Sequence, residues 1–537
     1  MSDSSRDANA LKNIVICSDG TGNTAIKDRG TNVFKLYEAV DADGWRTGAI
    51  PKQVAFYDDG VGTQELLPLR LLGQAFGLGL ARNVRELYAD LARVFDPGDR
   101  IFLFGFSRGA YTVRTLLGLI ECCGVPDRKA FTTDAALEEA ACESYAEYRK
   151  KYRTFWGGWK PEYRKDDPDR RRRLKAVAHP GLAPGGKIGV EFIGVWDTVC
   201  AVGMPFDELA YFWDRFIYPF RFADGRLTPQ VACARHALSI DDERRAFHPT
   251  MWDEQGAAPG QIAQVWFSGV HANVGGGYPK QGMSLTALDW MMAQAGACGL
   301  RFIESDRESI RAHWDVNDKL YDSRAGLAIY YRWDPRDIAK ICADNHMKPR
   351  IHSSVFERIA QGTKGYAPGN IPADLEVVAT PGTLGPTRLA DIQELVNAEL
   401  SAALSTQRAT SLLGTPDVQG WVAAGKLAYY GFLALTAMGV YFAAGLDGLN
   451  AGEKLARLDA WVSSTLSQPG VMEALVNTAL GSVEALLLKI APKLLQTWWF
   501  DLGVVLCYGL SWLADGRIAR RYSEFWYRLE DRLRALL

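Results

Sequence analysis

The chain has 537 residues, 48% apolar and 23% charged, which excludes global low-complexity disorder. Its 61 basic and 63 acidic residues leave a formal charge of −2, so no nucleic-acid partner is expected on electrostatic grounds. Nine cysteines, without a C-x-x-C spacing and several in apolar runs, read as reduced core thiols rather than a disulfide scaffold.

In chain order, residues 1–11 read as a flexible N-terminus. The opening MSDSSRDANALKN is polar and has no apolar signal-peptide core, so a cytoplasmic catalytic domain is expected. Residues 12–300 then alternate two patterns. Short apolar runs end in polar or glycine-rich turns: NIVIC (Asn13 to Cys17) in DGTGN, QVAFY (Gln53 to Tyr57) in DDGVG, RIFLF (Arg100 to Phe104) in GFSRG, VEFIGVW (Val190 to Trp196) in Asp197-Thr198, and QIAQVWFSGV (Gln261 to Val270) in His271. Such runs fit strands of a sheet buried on both faces. Between them, Asn83 to Phe95 carries apolar residues at helical spacing and stops at Asp96-Pro97-Gly98, and Tyr111 to Cys123 is almost wholly apolar. The alternation predicts an α/β fold, a mostly parallel sheet with flanking helices. Chemistry then belongs at the carboxyl ends of the strands, where each polar cluster falls.

Asp166 to Lys175, DDPDRRRRLK, reads as a solvated charged loop. Residues 301–410 are expected to form an accessory helical and loop region, and 411–537 a hydrophobic helical region. In the latter, Leu427 to Leu446 has no charge and is about long enough to span a bilayer. Leu494 to Ala514 is a second apolar stretch, interrupted by Asp501, with Trp498, Trp499 and Trp512 near its ends and Arg517, Arg520, Arg521 and Arg528 among the residues that follow. Membrane association is expected from these stretches; the alternative is a helical domain packed on itself or on the catalytic domain.

Ser107 sits in G-x-S-x-G between a strand and a helix, the pattern of a nucleophile elbow. Gly105 and Gly109 flank it and allow a tight turn. The backbone N–H of Arg108, at the positive end of the following helix, is one expected oxyanion donor. Gly20 and Thr21, after the first strand, are expected to supply a second, with Asp19 a structural acceptor and Asp58-Asp59-Gly60 in a similar role. Among seven histidines, only His271 directly follows a strand-like run, and it opens onto a glycine-rich loop. His248 reads as a loop residue and His236 as packing in a helix-like segment. Asp197 ends a strand and lies between nucleophile and base in chain order, which favours it over Asp241 and Asp242 as the orienting acid. Those rivals head a charged stretch better explained by a salt-bridge network.

CSDGTGNT, YDDGVGT, GFSRGAYTVR, GVWDTV and GVHANVGGGYP occur in this order. Together they resemble the α/β-hydrolase domain of type VI secretion phospholipase effectors and related uncharacterised bacterial and fungal proteins, over about residues 12 to 300. The resemblance implies an α/β-hydrolase fold, a lipid ester hydrolase of phospholipase A type, and Ser107, Asp197 and His271 as its triad. Family members often carry an aromatic residue in place of Gly22 and an aspartate in place of Asn273. The expected partners are a phospholipid or other acyl ester and a membrane; no cofactor or metal is expected, and a secretion or immunity partner is not visible in one chain. Two other functions compete: a membrane-tethered non-catalytic scaffold, and a metal-dependent phosphoesterase using Asp19, Asp58 and Asp59.

Overall fold

The apolar runs become parallel strands of one sheet in the computed structural model, which describes residues 11–20, 30–48, 51–60, 74–149, 168–177, 188–199, 225–443 and 498–537, with Glu453 and Arg457. Thr21, Gly22 and Cys200 lie outside the described residues, as do residues 1–10 and, of the two long apolar stretches, residues 444–446 and 494–497. In chain order the elements that build the site are β1 (Lys12–Ser18), α1 (Asn32–Ala39), β2 (Lys52–Asp58), α2 (Gln74–Val94), β3 (Arg100–Phe106), α3 (Arg108–Cys123), β4 (Val190–Trp196), β5 (Val231–Ser239), β6 (Ile262–Phe267), α4 (His271–Gly275) and α5 (Gly282–Ala297). Two short strands, β7 (Arg350–His352) and β8 (Glu376–Val378), extend the sheet into residues read from sequence as helix and loop. The order is β2-β1-β3-β4-β5-β6-β7-β8. The chain leaves β1 toward β2 and returns to the other side as β3, so the strand order reverses between β1 and β3. That is where open α/β sheets bind ligands.

Alternation along the strands splits the core. Ile14, Ile16, Ile101, Leu103, Ile193 and Val195 face α2 and α3. Val15, Cys17, Phe102, Phe104, Phe192 and Trp196 face α1 and α5. Both faces are covered, which is why the strands read as continuous apolar runs rather than alternating ones.

β5 is a correction to the sequence reading. VACARHALS, including His236, is a strand and not a helix. Its alanines and cysteine are weak strand formers, but it fills the slot between β4 and β6, and that setting outweighs local propensity. The basic run differs as well: Pro168–Arg173 is a short helix, and Arg171 is buried with Nη2 donating to the Glu121 carbonyl at 2.9 Å. The eight described cysteines are free thiols.

Two long helices, α6 (Pro416–Ala443) and α7 (Trp498–Trp526), precede a short α8 (Glu530–Leu536). α6 and α7 run antiparallel: Arg521 pairs with Asp417 at 2.8 Å, Gly431 abuts Cys507, and Gly503 abuts Leu435. The C-terminal end of α7 is rooted in the α/β body, where buried Trp526 donates from Nε1 to the Pro368 carbonyl at 2.7 Å. Further out, α7 exposes Leu502, Val505, Leu506, Tyr508, Trp512 and Leu513. Leu502–Trp526 is long and apolar enough, by length and composition, to cross a membrane, with mean hydropathy 1.2.

Candidate active site

Ser107 is the residue between β3 and α3, held at φ 56° and ψ −117°. A side chain at such a φ is strained and persists only where its surroundings enforce it. The glycines explain how. A Cβ on Gly105 would lie 2.6 Å from the Gly109 carbonyl oxygen, and one on Gly109 would lie 2.0 Å from that of Ser18. The backbone of α3 therefore packs directly onto the ends of β3 and β1. The Ser107 N–H is bonded to the Trp196 carbonyl at 3.1 Å, which ties the elbow to the end of β4. Arg108 opens α3, whose first-turn N–H groups have no intrahelical acceptor.

Asp197 follows β4 and also has a positive φ, 39°. Its buried carboxylate accepts from His271 Nδ1 at 2.7 Å through Oδ2. Ser239, the last residue of β5, donates to it from its N–H and from Oγ, each at 3.1 Å. His271 begins α4, and its N–H donates to Asp242 Oδ2 at 3.1 Å. Its ring lies between Phe106, at 4.6 Å between centroids, and Phe247, at 5.1 Å edge-on. Phe106 immediately precedes Ser107, so the end of β3 and the start of α4 meet ring to ring. His271 Nε2 is buried with no hydrogen-bond partner among the described residues. The bond from Nδ1 to Asp197 fixes the tautomer that leaves Nε2 as the acceptor.

Burial alone would raise the Asp197 pKa; the Arg336 charge and the hydrogen bonds from His271 and Arg336 outweigh it and hold the carboxyl below its usual range. For His271, burial lowers the pKa, the Asp197 bond and charge oppose that, and the net direction is down. A neutral imidazole against an ionised carboxylate is the ground state a general base requires.

The rival acids have other work. Asp242 is fully buried, pairs with Arg244 at 2.7 Å and holds the His271 backbone. Asp241 accepts from the Gly269 N–H at 2.6 Å and the Tyr366 hydroxyl at 2.9 Å. Both pin the loop from β6 to His271. Asn273 pins it further on, donating to the Lys319 carbonyl at 3.0 Å. His236 accepts from the Thr198 N–H at 3.1 Å, and burial first, with the Arg114 charge adding to it, takes its pKa to about 3. His248 lies in the loop after β5 and faces the Asp334 carbonyl through Nε2 at 2.8 Å.

On the opposite side of the elbow, Asp19 is buried and accepts from the Tyr57 hydroxyl at 2.7 Å and from the Gly20 N–H at 2.6 Å. The Gly20 N–H, expected as an oxyanion donor, is thus engaged by Asp19. Asp58 accepts from Ser18 Oγ at 2.8 Å and from Asn83 Nδ2 at 2.9 and 2.8 Å. No cluster of three or more metal-ligating side chains occurs among the described residues.

The contact that sequence reasoning missed is Arg336, in YYRWDPRDI. It is fully buried and reaches Asp197 with both terminal nitrogens, Nη1 to Oδ1 at 2.7 Å and Nη2 to Oδ2 at 2.9 Å. The expected accessory region starts before it, and no spacing rule links it to the strand-end motifs. Beside Arg336, Asp242 and Val270 opens a cavity of about 680 Å³, lined also by Phe432 of α6 and by Tyr508 and Tyr522 of α7.

The family model described as "T6SS, Phospholipase effector Tle1-like, catalytic domain" matches residues 12–294. An uncharacterized protein of Saccharomyces cerevisiae is 26% identical over 249 residues, 44% of this chain. The match spans only 32% of that relative's length. A crystal structure of an uncharacterized protein from Pseudomonas aeruginosa is similar over 86% of this chain and 63% of that one, at 16% identity and a TM-score of 0.32, too low to inform the fold.

Proposed function

Because the chain belongs to the family of T6SS Tle1-like phospholipase effector catalytic domains, we propose that it cleaves a phospholipid acyl ester with Ser107, His271 and Asp197. The observation that carries this reading is the 2.7 Å bond between His271 Nδ1 and Asp197, with Nε2 unbonded among the described residues and the His271 ring packed against Phe106, the residue before a strained Ser107.

In this mechanism Ser107 Oγ attacks the ester carbonyl while His271 Nε2 takes its proton. The carbonyl oxygen becomes an oxyanion facing the first turn of α3, where the Arg108 N–H donates. Collapse breaks the bond to the lysophospholipid alkoxide, which takes the proton from imidazolium. Water then repeats the steps on the acyl-serine and releases the fatty acid. Asp197 stays ionised throughout, holding the ring and stabilising imidazolium. The apolar outer part of α7 holds the catalytic domain at the lipid surface.

The test is a panel of phospholipid vesicles and a soluble p-nitrophenyl ester, with wild type beside Ser107→Ala. The expected result is fatty-acid release by wild type and a fall of about 10³-fold or more in the variant at unchanged Tm. Equal hydrolysis by the two proteins would sink the serine mechanism.

A further inference from the structure

Three strand ends supply the catalytic residues, yet the shortest ties to the triad carboxylate besides that of His271 come from outside the matched domain. Arg336 lies beyond residue 294, where the family match ends. Its guanidinium makes four bonds: two to Asp197, at 2.7 and 2.9 Å, and two to the carbonyls of Ser239 and Phe247, at 2.6 and 2.5 Å.

We infer that Arg336 is a positioning residue of the Asp197–His271 pair, clamping the carboxylate toward the imidazole and offsetting its charge, so that the segment after the hydrolase domain completes the active site. The inference rests on the proposed serine mechanism. Three features set the contact apart from an ordinary tie between chain segments. The fork is bidentate on the same carboxylate that receives His271, and a planar guanidinium fixes the plane of a carboxylate where a point charge cannot. Asp197 is at positive φ, a conformation that needs external enforcement, and the fork contributes it by holding Oδ1 together with Oδ2, the oxygen that receives His271. Finally, Arg336 and Asp197 are both fully buried, so their charges act on the imidazole with little screening.

The electrostatic consequence has a definite sign. The charged and titratable groups facing the pair are Arg336, Asp242 and Arg244 from the segment after β5, His236 on β5, and His248 in the loop beyond it. Asp242 and Arg244 compensate each other, and burial keeps His236 and His248 neutral near pH 7. Arg336 is therefore the group that balances Asp197. Without it, Asp197 would present an uncompensated negative charge to His271 and favour imidazolium. The His271 pKa would rise, and the acid limb of the activity profile would move to higher pH.

The experiment uses the full chain and a fluorophosphonate probe, reading the labelling rate of Ser107 across pH 4.5–9 (an assay range of about that width brackets the usual His value). Ser107→Ala is the blank. In wild type the acid limb is expected below the usual histidine value of about 6.5. Arg336→Met should raise it by about one pH unit or more. Arg336→Lys keeps the charge but loses the fork, so the limb should move less while the rate falls about ten-fold at every pH. The inference is overturned if Arg336→Lys matches wild type in both rate and limb, or if Arg336→Met folds, labels slowly and keeps the wild-type limb. If Arg336→Met does not fold, Arg336→Lys alone decides. Wild type that fails to label at Ser107 overturns the serine mechanism and this inference together; wild type that labels, with Arg336 variants that label alike, overturns this inference only.

Discussion

Gly275→Ala tests the placement of His271, the proposed base, without altering any residue of the proposed triad. Gly275 ends α4, one turn from His271 on the same helix face. A Cβ there would lie 2.0, 2.2 and 2.4 Å from Cε2, Cδ2 and Cζ of Phe106. Ordinary contact begins at 3.4 Å, so helix and ring must separate by about 1.4 Å. Phe106 is buried, lies in register with Trp196 on β4, precedes Ser107 and packs tilted against the His271 ring, so its ring has nowhere to go. The helix moves instead and takes His271 with it.

The backbone at Gly275 is helical and φ is not positive, so alanine in open space would stabilise by about 0.8–1 kcal/mol. Overpacking costs about 1–3 kcal/mol, leaving a net loss of roughly 0–2 kcal/mol. A displacement of about 1 Å in a catalytic group costs on the order of 10²-fold in rate. The expected signature is a small fall in Tm with a labelling rate at Ser107 down about 10²-fold. A wild-type labelling rate with an equal or higher Tm would refute the steric coupling between α4 and β3.

Asp242→Ala removes a buried partner of Arg244 and the acceptor of the His271 N–H, and should cost about 3–5 kcal/mol by thermal or urea unfolding. Burial raises the Asp242 pKa, but Arg244 outweighs burial and the net direction is down. The stabilisation is thus fully present above the unfolded value of about 3.9 and lost as pH falls below it, so the gap between variant and wild type should close in acid. Trp526→Ala should destabilise by about 3–5 kcal/mol in a melt, because it removes a fully buried ring and strands the Pro368 carbonyl. Val505→Glu with Leu506→Glu, at exposed positions on α7, should weaken co-flotation with phospholipid vesicles at least ten-fold while leaving p-nitrophenyl ester hydrolysis unchanged.

The elbow was legible because its chemistry is local: a strand, two glycines and a helix start lie within a few residues. The strands β1 to β4 and β6 were legible because burial on both faces makes them uniformly apolar. β5 was not, since His236, Arg235 and three alanines satisfy no strand pattern; its place is set by the gap between its neighbours. β7 and β8 have three residues each, too few to carry a period. Arg336 was invisible for a different reason. A single arginine in a polar stretch reads as surface, and only a tertiary contact spanning 139 positions makes it part of the site.

These misses bear on one another. Asp197 and His271 follow β4 and β6, and those strands are not neighbours: β5 lies between them. The carboxylate must therefore cross the end of β5 to reach the imidazole. The positive φ at Asp197 turns the chain for that crossing, and the Asp197 N–H is bonded to the Ala237 carbonyl on β5 at 2.8 Å. Ser239, where β5 ends, then donates twice to the carboxylate midway. Arg336 bonds both the carboxylate and the Ser239 carbonyl, tying the crossing to the end of β5. The strand least evident in sequence is thus the one over which Asp197 and His271 are joined, and the residue least evident in sequence is the one that fastens the joint.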